Sequence, residues 1–224
     1  MSDGGTPTRQ AARRRTSARG PRPRASFVAT VSSLFGVMTL VAASTLWPVY
    51  RSPEFVLLVV VSVAAGAVIA IAGTLLRSSS FTLLVATVAV FLLLGVPLAI
   101  PSETVSGVFP TAEGLVELVT ATALGWKRLV TITLPVGSYE ALLVPTFVLV
   151  LLSTVVGLSV ALRSRRGELA VIAPVVVYLA GIVLGPEDAW LPAPTGIALV
   201  VVAVVWSLWW RLRRRRQAIL ALEG

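Results

Sequence analysis

Residues 55–76 read FVLLVVVSVAAGAVIAIAGTLL. Ser62 and Thr74 are the only polar side chains in this stretch, and it holds no charged residue and no proline. Coiled as an α-helix at 1.5 Å per residue it is about 33 Å long, which matches a hydrocarbon core of about 30 Å. Its many valines do not argue for a strand. In lipid every backbone amide must be satisfied within its own segment or in a closed barrel. Barrel strands are about 10 residues long and alternate apolar with polar, and this stretch does neither.

Five more runs of the same kind lie on either side, at 27–47, 81–100, 142–162, 169–184 and 195–210. The fifth of the six, 169–184, is the shortest. None contains Asp, Glu, Lys or Arg. Across all 224 residues the composition is 56% hydrophobic and only 13% charged, with a mean hydropathy of +0.91. A water-soluble domain of this size needs more charge to cover its surface. The fold expected is an all-α integral membrane protein with six transmembrane helices. Residues 1–26 read as a disordered basic cytoplasmic tail, 27–210 as the membrane domain and 211–224 as a second basic cytoplasmic tail.

The net charge of +9 suggests nucleic acid only until its distribution is drawn. With the N-terminus inside and six crossings, sixteen of the 19 basic residues fall on the inner side: Arg9, Arg13 to Arg15, Arg19, Arg22, Arg24, Arg77, Arg163, Arg165, Arg166, Arg211 and Arg213 to Arg216. The outer segments hold Arg51, Lys127 and Arg128 against seven acids: Glu54, Glu103, Glu113, Glu117, Glu140, Glu187 and Asp188. This is the positive-inside bias, and it predicts a multi-pass plasma-membrane protein with both termini cytoplasmic. Trp47, Trp126 and Trp190 then fall near the outer interface, and Trp206, Trp209 and Trp210 near the inner one. No nucleic-acid-binding module accompanies the charge, so the lipid bilayer is the partner expected. The terminal arginine block serves as a topology signal and a contact for anionic lipid. "LVAAS" at 40–44 could pass for a leader cleavage site, but the apolar run continues to Trp47, so the first span is expected to stay in place.

Cysteine and histidine are both absent. That excludes disulfides, thiolate nucleophiles, Cys/His metal sites and imidazole bases. No catalytic, cofactor-binding or metal-ligating residue is assigned, and no cofactor is expected. The spans carry no ionisable group away from their ends, which argues against a proton- or ion-coupled transporter. Small-residue spacings at Gly66/Ala70/Thr74 and Ser153/Gly157/Ala161 would let helix backbones approach closely.

The outer segment 101–141 is different in kind. Pro97, Pro101, Gly107 and Pro110 are expected to break span three at its outer end. Beyond them Leu115, Leu118, Val119, Thr122, Trp126, Leu129 and Val130 share one arc at 100° per residue, while Glu113, Glu117, Thr120, Lys127, Arg128 and Thr131 share the opposite arc. This predicts an extracytoplasmic interfacial amphipathic helix between spans three and four, broken or kinked at Gly125. Trp126 would sit at headgroup level, with Lys127 and Arg128 turned away from lipid. Glu113 and Glu117 read as a solvated face, since no His can complete a site. Pro135–Ser138 would turn the chain, with Ser138 capping span four, Glu140 in its first turn and Pro145 inside it as a kink. Trp126, Lys127, Arg128 and Tyr139 are the candidates for interfacial or partner contact.

The stretch GWKRLVTITLPVGSYEALLVP, 125–145, resembles the N-terminal membrane region of bacterial transglutaminase-like envelope proteins of the TgpA type. Gly125–Trp126–Lys127 and Pro135–Val136–Gly137–Ser138–Tyr139 carry the resemblance. The basic tail, six spans, long outer segment and RLRRRRQAIL after span six extend it over most of the chain. The resemblance implies a following span and an external domain with a Cys-His-Asp site, which this sequence does not contain. The function expected is a non-catalytic module that anchors or positions an extracytoplasmic transglutaminase-like domain, as an N-terminal fragment or split relative of such a protein. The alternative is a transporter or permease membrane subunit with a polar path through Ser153, Thr154 and Ser159.

Overall fold

The structure is a computed structural model, and it describes residues 25–105, 109–131, 141–164, 166–186 and 192–220. It is all-α, with six helices long and apolar enough to cross a membrane. Helix α1 (Ala25–Ala43) continues through a 3-10 turn, Ser44–Leu46, into the single turn α2 (Trp47–Tyr50). Then come α3 (Pro53–Leu75) and α4 (Ser80–Ala99). Two-residue strands β1 (Thr104–Val105) and β2 (Phe109–Pro110) pair antiparallel and lead into α5 (Ala112–Thr131). Helix α6 (Val144–Arg163), a 3-10 turn Gly167–Val171 with α7 (Ile172–Leu184), and α8 (Pro192–Leu220) complete the chain.

The exterior identifies the solvent. Leu57, Val60, Val68, Val88, Leu93, Val156, Leu179 and Val200 are all exposed within their helices. Such a surface is incompatible with water and natural in hydrocarbon. The protein is a multi-pass membrane protein.

Helix α6 is the hub. It touches α1, α3, α4, α5 and α7, and 67% of its spanning window is buried, against 17% for α4 and for α8. Both small-residue spacings work as interfaces. Gly66 of α3 lies so close to α6 that a methyl group there would meet the Thr154 side chain at 2.8 Å. Ala70 on the same face is fully buried. Gly157 of α6 lies against the Phe35 ring of α1 and Ala173 of α7. Without a hydrophobic drive between helices in lipid, this close backbone approach is what dispersion requires.

Side-chain hydrogen bonds tie the two ends. At one end the buried Tyr50 hydroxyl donates to the Leu142 carbonyl at 3.0 Å and shares a 2.8 Å hydrogen bond with the Thr146 hydroxyl. This joins the end of the first span to the start of α6. Tyr50→Phe is expected to cost about 1–2 kcal/mol, because it strands the Leu142 carbonyl and deprives the Thr146 hydroxyl of its partner in a dry site. In a Tyr50→Phe/Thr146→Val double mutant the costs should fall short of additivity, measured by unfolding in detergent; strict additivity would show the pair to be uncoupled.

At the other end Trp206 of α8 donates its indole N–H to the Gly167 carbonyl at 3.1 Å. Phe27 stacks on Trp209, and the Arg213 guanidinium lies 3.7 Å from the Phe27 ring centre. Arg163 closes the α3–α4 turn by donating to the Ser78 carbonyl at 2.9 Å. The first and last spans therefore meet, and Arg77, Arg163, Arg166, Arg211 and Arg213 share one end of the bundle. Arg51, Glu54, Glu103 and Glu113 lie at the opposite end. The turn at Arg77 is tight: Arg77 is left-handed, with φ 53°, and Ser79 caps α4 by accepting the Thr82 N–H at 3.1 Å.

Several sequence expectations need correction. Pro97 does not end the third span; it sits in the last turn of α4, which runs on to Ala99. Pro145 does not kink the fourth span, because α6 begins at Val144 and Pro145 is in its first turn, where a missing N–H leaves nothing unsatisfied. The cap position of α6 is Leu143 rather than Ser138, and no side chain caps it. Ser138 and Glu140 lie outside the described residues, as do Tyr139 and residues 1–24. The first helix includes Ala25 and Ser26, and α8 continues unbroken past Trp210 to Leu220. Trp206 is not an interfacial belt residue: it is fully buried against Phe35.

Candidate functional site

Helix α5 carries three of the sequence's four candidates, Trp126, Lys127 and Arg128, and its start is built from Thr111. The Thr111 hydroxyl accepts the Gly114 N–H at 3.0 Å and donates to the Glu103 carbonyl at 2.8 Å, which caps the helix and ties it to the 3-10 turn Pro101–Glu103 that follows α4. Glu113 in the first turn and Arg128 in the last complement the helix dipole.

The helix is continuous through Gly125, so the expected break there is absent. Gly125 has a different use. A methyl group at that position would meet Pro145 Cγ of α6 at 2.9 Å, so the missing side chain lets the two helices touch. The buried stripe is Gly114, Leu118, Ala121, Gly125 and Leu129. It packs on α4 and α6. Leu118 is fully buried and fills the notch left by Gly95 of α4.

This stripe is rotated from the arc expected. Leu118 and Leu129 belong to both, but Val119 is 57% exposed, and Leu115, Thr122 and Trp126 are half-buried. Counting apolar side chains missed Gly114, Ala121 and Gly125 because glycine and alanine carry little hydrophobicity. Their spacing was nevertheless visible as a small-residue pattern of the kind that marks helix interfaces. The helix has a bundle face, an adjacent exposed apolar edge of Val116, Val119 and Ala123, and a polar edge of Glu113, Thr120, Lys127 and Arg128. Glu113, Glu117, Thr120 and Arg128 also line an open hollow of about 540 Å³.

Gly125→Leu is expected to prise α5 from Pro145. Overpacking of this kind costs about 1–3 kcal/mol, so amide exchange across Ala112–Thr131 should quicken about tenfold or more while the six spans keep their protection. Unchanged exchange would show that the Pro145 contact does not hold the helix.

The three hydroxyls weighed as a polar path do not line one. Thr154 donates to the Val150 carbonyl at 2.8 Å and faces α3 at Gly66. Ser153 and Ser159 have no hydrogen-bond partner, and Ser159 faces a crevice against α4. On a helix the three positions diverge by at least about 100°. Among the described residues no group of three His, Cys, Asp or Glu is placed to hold a metal ion. No family model, curated protein or solved structure matches the chain.

Proposed function

We propose that this chain is a plasma-membrane module without catalysis of its own, with both termini cytoplasmic, that anchors or positions an extracytoplasmic transglutaminase-like domain. The observation that carries the reading is the docking of α5. A helix held to the bundle by Thr111, Leu118 and Gly125 presents Lys127 and Arg128 on an exposed edge at the end of the molecule opposite the arginine-rich end. The positive-inside rule makes that end extracytoplasmic. Val116, Val119 and the half-buried Trp126 suit the lipid interface, while the charged edge suits a partner surface. The partner's chemistry comes from the resemblance of residues 125–145 to the membrane regions of transglutaminase-like envelope proteins.

Two experiments test it. Single cysteines at Ser102 and Ser164, both exposed, separate the two faces. In intact cells an impermeant thiol reagent is expected to label Ser102→Cys and to leave Ser164→Cys untouched; the reverse pattern would sink the orientation. A photo-crosslinker at position 127 is expected to capture an extracytoplasmic protein with a Cys-His active site, and charge reversal at Arg128 should weaken capture in a salt-dependent way. Capture of a cytoplasmic ATPase instead would favour the permease reading.

A further inference from the structure

A crevice of about 500 Å³ runs between α4 and α6 at the arginine-rich end. That is within the range of small-molecule sites, about 300–1,000 Å³. Its walls are Leu83, Leu84 and Thr87 on α4 and Leu152, Val155 and Val156 on α6. Leu84 and Val156 are exposed, so it opens sideways toward lipid. From Leu152 to Ser164 the α6 wall is about 18 Å long, close to one leaflet of about 15 Å.

The polar groups gather at one end. Arg163 and Ser164 stand at the mouth with Ser80, the first residue of α4. Arg163 spends one N–H on the Ser78 carbonyl and one on the Thr74 hydroxyl. A guanidinium has five, so three remain. The Ser164 hydroxyl accepts the Arg166 N–H at 3.0 Å and keeps its own proton to donate. The dipole of α4 adds positive potential at its N-terminus. One helical turn deeper, about 6 Å, Ser159 lines the crevice, and its buried hydroxyl has no hydrogen-bond partner.

We propose that this crevice holds one acyl chain of an anionic phospholipid, with the phosphate at Arg163 and Ser164 and a glycerol ester carbonyl accepting from Ser159. Apolar walls one leaflet deep, a cation at the headgroup level and an orphan donor at the ester level match the order of groups along such a lipid. An unbonded hydroxyl in a dry site costs free energy, and an ester oxygen is the acceptor that a lipid brings to that depth. The occupant is a lipid rather than a free anion, because most of the lining is hydrocarbon.

The full chain in mild detergent, titrated with phosphatidylglycerol or with phosphatidylcholine of the same chains, tests this by native mass spectrometry. One phosphatidylglycerol should be retained about tenfold more tightly than phosphatidylcholine, whose choline ammonium offsets the phosphate charge that Arg163 would meet. Arg163→Gln should bring the two lipids near parity, and Ser159→Ala should weaken both several-fold. Val156→Trp should fill the crevice and release both. Arg163→Gln also frees the Ser78 carbonyl, so a thermal melt checks its fold; Ser159→Ala and Val156→Trp touch neither Ser78 nor Thr74 and decide the matter if that variant is unstable. Equal retention of the two lipids by the wild type would overturn the proposal. So would a phosphatidylglycerol preference that survives Val156→Trp, or displacement of the lipid by millimolar inorganic phosphate.

Discussion

Gly157→Leu is expected to cost about 3 kcal/mol or more and to loosen three helices at once. Gly157 lies where α1, α6 and α7 converge, with the Phe35 ring and the Ala173 methyl already against it. Phe35 cannot retreat, because it is fully buried and packs edge-on against Trp206. A new side chain must therefore push the helices apart, and overpacking of a closed site typically costs about 1–3 kcal/mol, sometimes more. The check is unfolding in a denaturing-detergent titration, with Gly157→Ala as the graded intermediate. Phe35→Ala should partly rescue Gly157→Leu, since the ring removed is the volume added. If the double mutant costs as much as the sum of the two single costs, the Phe35 contact is not what limits the site.

Trp206→Ala is expected to cost about 3–5 kcal/mol, the usual range for deleting a fully buried large aromatic. Trp206 has no exposed surface, and it joins Phe35 of α1, Trp209 and Trp210 of α8 and the Gly167 carbonyl of the α6–α7 turn. Trp206→Phe separates the two roles. It keeps most of the ring packing and removes the N–H, so it should cost about 1–3 kcal/mol, the penalty for leaving the Gly167 carbonyl unpaired. Amide exchange in the Gly167–Val171 turn should quicken in both variants. If Trp206→Phe matches wild type in stability and exchange, the hydrogen bond to Gly167 contributes nothing.

The individual helices were legible from local composition. Residues 55–76 form α3 within a residue or two at each end. Segment 169–184 was the shortest of the six, and the structure shows why: its span starts as a 3-10 turn at Gly167, which Trp206 holds, and becomes α-helical only at Ile172. The outer helix was found by its 100° periodicity, yet its bundle face was misplaced. The arc of large apolar residues pointed to Val119, whereas the contact is made by Gly114, Ala121 and Gly125.

The six spans, the bias of arginines toward one end and the exclusion of thiol and imidazole chemistry all follow from composition along the chain. Those properties are sums over residues in a row, or plain absences, and they do not depend on neighbours distant in the chain. Packing in three dimensions is what makes α6 the hub, lays α5 on α4 and α6, puts Trp206 in the core, and stands Arg163 at the mouth of a crevice with Ser159 below it. The reason is the solvent. In hydrocarbon a leucine facing lipid and a leucine facing another helix have nearly the same transfer free energy, so hydrophobicity cannot say which face turns inward. That choice falls to shape, to small residues that admit a partner such as Phe35 or Pro145, and to the few hydrogen bonds, Tyr50 to Leu142 and Trp206 to Gly167, whose partners lie far apart in the chain.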